Sequence, residues 1–203
     1  MPTIDFAAAP NPVRPPLPYP VQLVEETRLR DGTPVTIRPI RAADWRLERA
    51  FVSGLSMQTR YQRLLSARNL LPGELKRLTD IDYRREMALV AVARVDGATE
   101  EIGVARYVRD DDDPASCDFA IVIGDRWQRR GLGETLLRSL LRAARDDGIT
   151  RVGGITLTSN VAMIGLAKKL GFRARLQPGN ASVTELHREA GTAPLQATQR
   201  HAS

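Results

Sequence analysis

The chain has 203 residues, 42% of them hydrophobic, and a formal net charge of +6. That length suits one domain with tails, that apolar content fills a core, and no apolar run nears the ~20 residues of a membrane span. One cysteine excludes a disulfide framework, two scattered histidines are too few for a metal site, and with Asp5 near the start and no apolar run behind it no signal peptide is expected. The expectation is a cytoplasmic protein with no metal and no membrane partner. Lys76, Lys168 and Lys169 are the lysines among 30 basic residues; the others are arginines spread along the chain. Dispersed arginine describes a solvated surface better than a nucleic-acid face.

Residues 1–22 form a Pro-rich stretch that can build neither helix nor ladder, so an extended or disordered arm is expected there. Residues 23–189 then read as one domain, and 190–203 as a loose Ala/Thr/Gln/Ser-rich tail. Glu25–Pro39 reads as a hairpin around a two-residue Asp31-Gly32 loop. Ala43–Gly54, Ser56–Leu65 and Pro72–Thr79 have helical spacing, with Ser56 as a cap and Pro72 in a first turn. Glu86–Val95 is a nearly continuous apolar strand, buried on both faces. Asp96-Gly97 starts a turn into a strand over Glu101–Arg109, and Asp110–Asp113 with Pro114 is a solvated loop. Cys117–Ile123 is the next strand.

Gly131–Asp147 is a long amphipathic helix stopped by Gly148. Arg151–Thr158 is a strand, Asn160 caps a helix reaching Leu170, and Gly171 stops it. Phe172–Leu176 and Ser182–Arg188 close the domain. Consecutive strands imply antiparallel pairs, and the strand–helix–strand unit of Cys117–Thr158 requires a parallel one. The fold class is therefore a mixed sheet in an α/β (α+β) domain.

The stretch Asp118–Glu134 (DFAIVIGDRWQRRGLGE) carries the chemistry. A strand runs through a glycine-containing turn into a helix whose first N–H groups have no internal partner, which makes an anion cradle. A P-loop is excluded because no Lys-Ser or Lys-Thr follows Gly131 or Gly133. A dinucleotide fingerprint is excluded because Leu136 stands where the third glycine belongs. Cys117 has no histidine near it in sequence, so it is read as an inert strand cysteine.

Gln128-x-x-Gly131-x-Gly133, followed by Asn160 and by Gly171-Phe172, resembles the GNAT superfamily of acyl-CoA-dependent N-acyltransferases. The segments LRDGTPVTIRPIRAAD (29–44), GLSMQTRYQRLL (54–65) and LTDIDYRREMALVAV (78–92) resemble the Pat-type bacterial protein lysine acetyltransferases. The resemblance implies a GNAT-like, mostly antiparallel sheet flanked by helices, with an N-terminal hairpin. It implies acetyl-CoA as cosubstrate and direct transfer to an amine, with a protein lysine as the expected acceptor. A small amine is the alternative; another is a non-catalytic acyl-CoA-binding or nucleic-acid-binding module on the same fold.

By the same resemblance, the pyrophosphate would lie on Gln128, Arg129, Arg130, Gly131, Leu132, Gly133 and Glu134, with a hydroxyl from Thr135. The pantetheine arm would run along Ile121, Val122 and Ile123 and meet Asn160. Pat-type enzymes place a glutamate base at the head of this strand. Here that position is Asp118, whose shorter reach favours a water relay, with Glu86 on the adjacent strand as the reserve. The tyrosine acid of many GNAT enzymes is absent, its position being Ala167, and the Pat-type group also lacks that tyrosine. Arg60, Tyr61 and Arg63 fall on the helices that would wall the acceptor side.

Overall fold

The computed structural model describes residues 17–64 and 72–189. The tail 190–203 and most of the arm 1–22 lie outside that range, as do the side chains of Tyr61 and Arg63. Leu17–Leu23 lies inside it. The Leu17 N–H donates to the Asp82 carbonyl at 2.9 Å. Tyr19 meets Tyr83 edge-on, with the Arg41 guanidinium 4.1 Å from its ring centre.

Thirteen elements follow a short 3-10 turn at Val21–Leu23: β1 (Glu25–Arg28), β2 (Pro34–Pro39), α1 (Trp45–Gly54), α2 (Met57–Leu64), α3 (Pro72–Thr79), β3 (Glu86–Val95), β4 (Ala98–Arg109), β5 (Ser116–Ile123), α4 (Leu132–Asp146), β6 (Arg151–Leu157), α5 (Val161–Lys169), β7 (Arg173–Gln177) and β8 (Asn180–Glu189). The strands form one eight-stranded sheet in the order β1-β2-β3-β4-β5-β6-β8-β7. Every described pair is antiparallel except β5–β6. The mixed, mostly antiparallel fold class and the N-terminal hairpin are as the sequence implies.

The hairpin turn differs in detail. The Leu29 N–H donates to Thr33 O, the Gly32 N–H donates to Leu29 O, and Gly32 has φ +85°. This is a three-residue loop, Arg30-Asp31-Gly32, ending in a left-handed glycine, where the sequence suggests two residues. The same dipeptide at Asp96-Gly97 does make the two-residue turn, with both residues at positive φ and Val95 paired to Ala98.

Alternation along the strands sends side chains to two cores. One face carries Leu89, Ala91, Ala105 and Phe119, covered by Leu132, Leu136, Leu137, Leu140 and Leu141 of α4 and by Ala167 of α5. Leu136, Leu137 and Leu140 are at most 1% exposed, and each contributes roughly 2 kcal/mol by its burial. The other face carries Ala88, Val90, Val104 and Val122 under Phe51 and Val52 of α1 and Leu75 of α3. Gly148 (φ +79°) ends α4: its N–H donates to Arg145 O, and the Ile149 N–H to Ala144 O.

Candidate active site

β5 and β6 pair over three positions, Ser116↔Arg151, Cys117↔Val152 and Asp118↔Gly153, and then part. β5 stays on β4 as far as Ile123↔Gly103, and β6 stays on β8 as far as Leu157↔Val183. Phe119 sits at the vertex. A β-carbon on Gly154 would lie 2.9 Å from the Phe119 ring, so the bare glycine makes room for it. Beyond the ring is Phe172, with its centre 5.0 Å away.

The opening is lined by backbone. The Gly124 N–H donates to Ile102 O, and donors alternate along an antiparallel strand. The polar groups of Val122 therefore face β4, and those of Ile121 and Ile123 face the gap. Across it, the Thr158 N–H donates to Ser182 O on the β8 side, so Ile155 and Leu157 turn theirs toward β5. Two gap carbonyls are taken: Ile123 O by the Gln128 side-chain amide at 3.1 Å, and Leu157 O by the Asn160 N–H at 2.9 Å. Gln128 thus fastens the turn to the strand end.

The cradle lies at the wide end. Arg129 (φ +62°) and Gly131 (φ +90°) bend the chain into α4. Among the described residues, no backbone carbonyl accepts from the N–H groups of Arg129, Arg130, Gly131, Leu132 or Gly133. Adjacent N–H groups without partners, at the positive end of a helix, suit a phosphate. Gly133 acts differently from Gly131: a β-carbon there would meet Leu166 at 3.4 Å and Ile123 at 3.7 Å, so it sets the packing of α4 on α5 and β5.

The cations around the cradle are organised by acids. Arg130 pairs with Asp31 at 3.0 Å and lies over Trp127. Glu134 gathers Lys169 (2.6 Å), Arg138 (3.0 Å) and Arg30 (3.6 Å). The hydrogen bond from Lys169, ahead of that from Arg138, holds the Glu134 carboxyl below its ordinary range despite some burial. The Arg30 N–H donates to Arg130 O, and the Arg30 side chain would lie 3.2 Å from a β-carbon on Gly131. The N-terminal hairpin is therefore latched to the cradle, a contact between residues a hundred positions apart that no local motif announces. Thr135 Oγ1 is 3.4 Å from Gly131 O, and Asn160 Oδ1 caps α5 by accepting from the Met163 N–H at 3.2 Å.

Asp118 stands at the narrow end, on the α1/α3 face. Burial, and then the Asp110 carboxylate, push its carboxyl above the ordinary range, while His187 opposes them. Glu86 shares that face: it is paired with Val108, which is paired with Asp118. It is bound to Arg77 at 2.7 Å and lies two strands away, with Val108 between. Cys117 points into the other core, where burial, and then the Asp118 charge, push its thiol up to about 12. A thiol so protonated is a poor nucleophile.

Sequence reading missed a second feature on the Asp118 side. Asp125 follows β5 and accepts from the Ser56 N–H (2.9 Å), Ser56 Oγ (2.7 Å) and Thr59 Oγ1 (2.7 Å). Ser56 Oγ also accepts from the Thr59 N–H at 3.2 Å, as the expected cap does. The entry of α2 is thus tied to the strand end that leads into the cradle.

Residues 35–173 match the family model described as acetyltransferase (GNAT) domain. The chain is 37% identical over 163 residues to Acetyltransferase PA5475 of Pseudomonas aeruginosa, covering 80% of this chain and 87% of that protein. It is 30% identical over 156 residues to Acetyltransferase Pat of Mycolicibacterium smegmatis, covering 76% of this chain and 44% of Pat. The chain therefore spans less than half of Pat. Among solved structures, the GNAT domain of S. lividans PAT is similar with a TM-score of 0.75 at 26% identity, over 85% of this chain and 99% of that one. Among the described residues, no helix is long and apolar enough to cross a membrane. With half of its length and more inside that model, the chain belongs to the GNAT acetyltransferase family.

Proposed function

We propose that this protein is an acetyl-CoA-dependent N-acetyltransferase that passes the acetyl group directly to an amine, the ε-amine of a protein lysine, in the cytoplasm. The observation that carries this reading is the parting of β5 from β6 between an anion cradle and a half-buried carboxylate. The pyrophosphate takes the N–H groups of Arg129–Gly133, with the Arg129 guanidinium beside it. The pantetheine arm pairs with Ile121 and Ile123. From Asp118 to Ile123 the strand spans about 17 Å, so the thioester reaches the vertex while the phosphates stay at the helix.

The acceptor comes from the α1/α2 side. A lysine amine has a pKa of about 10.4 and must lose a proton to attack. Asp118 takes that ammonium proton, directly or through one water, the freed amine bonds to the thioester carbonyl, and the second proton lost from nitrogen passes to water. The raised proton affinity of Asp118 makes it a better base than an exposed aspartate. The C–S bond then breaks, and CoA leaves as the thiol after protonation from solvent, because Ala167 offers no acid. Glu86 stays with Arg77 and keeps a structural charge.

Thiol release from acetyl-CoA, measured against a panel of proteins and small amines, tests the reading. Release with lysine proteins, lost in Asp118→Asn and in Gly131→Asp, supports it. Release with small amines alone moves the acceptor, and no release with any amine removes the enzyme reading.

A further inference from the structure

The row of side chains through Asp118 continues across the sheet. Gly153 on β6 is its register partner, His187 on β8 is the partner of Gly153, and Arg173 on β7 is the partner of His187. Paired residues of neighbouring strands share a face. The Asp118 carboxylate and the His187 imidazole therefore look onto the same surface, about 10 Å apart at their α-carbons. What separates them is a residue with no side chain, and Asp118 leans over it: Oδ1 would be 2.8 Å from a β-carbon on Gly153.

The reaction leaves a proton to dispose of. The acceptor arrives mostly as ammonium at neutral pH, so each turnover releases one net proton. A half-buried Asp118 that has taken it must return it to water before the next cycle. The β4 side of the row is closed by Val108 and then by the Glu86–Arg77 pair. The β8 side is open: the His187 side chain is 59% exposed, with Nε2 3.4 Å from Glu185 Oε2. Another charge acting on Asp118 is the Asp110 carboxylate, just after β4.

We propose that His187 drains the proton from Asp118 across the bare Gly153, through one bridging water, with Glu185 orienting the ring. The O–H bond on Asp118 breaks, an N–H bond forms on the imidazole, and the imidazolium releases the proton to bulk water. An imidazole exchanges protons readily near neutrality, which suits the task. This rests on Asp118 being the base.

Chemical rescue tests it. In His187→Asn, with poly-lysine as the amine at low buffer concentration, turnover falls about fivefold or more and its pH profile changes, and added imidazole restores it. Acetyl-CoA affinity stays within about twofold. Wild-type turnover in His187→Asn, or a loss that imidazole does not restore, overturns the proposal. Failure of the base itself looks different: Asp118→Asn would keep full turnover.

Discussion

The Asp118 carboxylate lies over Gly153 so closely that a single added methyl group would displace it, since a β-carbon there would be 2.8 Å from Oδ1. The two residues form the last pair of β5 and β6 before the strands part, so this contact fixes the carboxylate at the vertex of the opening. Gly153→Ala pushes the carboxylate aside. The far end of a flexible side chain can yield, so the fold survives. Turnover is expected to fall about tenfold or more with acetyl-CoA affinity retained, because small misplacement of a reacting group is costly. Steady-state kinetics beside a binding titration check it.

Asp118→Asn is expected to lower turnover by about 10²–10⁴ while acetyl-CoA still binds. The same change should stabilise the fold at neutral pH. In the unfolded chain an aspartate ionises near about pH 3.9, whereas burial raises the folded carboxyl above that value. Above pH 3.9 the folded state holds the proton more tightly than the unfolded state, so stability falls as pH rises through the folded value. Melting curves should place Asp118→Asn above wild type at pH 7, and the gap should close below about pH 3.9. A gap that persists at low pH would contradict the assignment.

At the cradle, Gly131→Ala is expected to cost about 1–2 kcal/mol, because φ is +90° there and a β-carbon would press on Arg30. Gly131→Asp should abolish acetyl-CoA binding by setting a like charge in the phosphate seat. Thermal melts and calorimetric titration separate the two effects.

Most elements of the fold are legible in the sequence because each is written locally. The apolar run of β3, the leucine face of α4, and the caps at Ser56, Asn160, Gly148 and Gly171 need only neighbours a few residues away. The Asp31-Gly32 turn is the instructive miss. Asp96-Gly97 has the same dipeptide and makes the shorter loop, so the flanking strand register, not the dipeptide, chooses the turn. The site was legible in its parts but not in its joins. Asp118 and Gly131 stand out from motif and order, whereas Gly153, Gly154, Asp125 and Arg30 matter only through contacts with residues distant in the chain. An isolated glycine in a strand pattern signals close approach of another group, which was the one available hint for Gly153-Gly154.

Asp125 joins the entry of α2 to the end of β5 that leads into the cradle. Asp125→Ala leaves the Ser56 N–H and two hydroxyls without their acceptor, and should cost about 1–2 kcal/mol of stability. With α2 no longer held at its entry, the KM for the amine should rise while acetyl-CoA affinity changes little. A matched rise in both constants would mean that the loop collapses as a whole.

The central claim is that acetyl-CoA lies in the opening between β5 and β6 with its phosphates on the cradle. Amide chemical shifts followed through an acetyl-CoA titration test it most directly. The account predicts that the largest changes fall on Ile121, Ile123, Arg129, Arg130, Gly131, Leu132 and Gly133, with Val122, which faces β4, moving less. Saturable binding that leaves Ile121, Ile123 and Gly131 unmoved would contradict it.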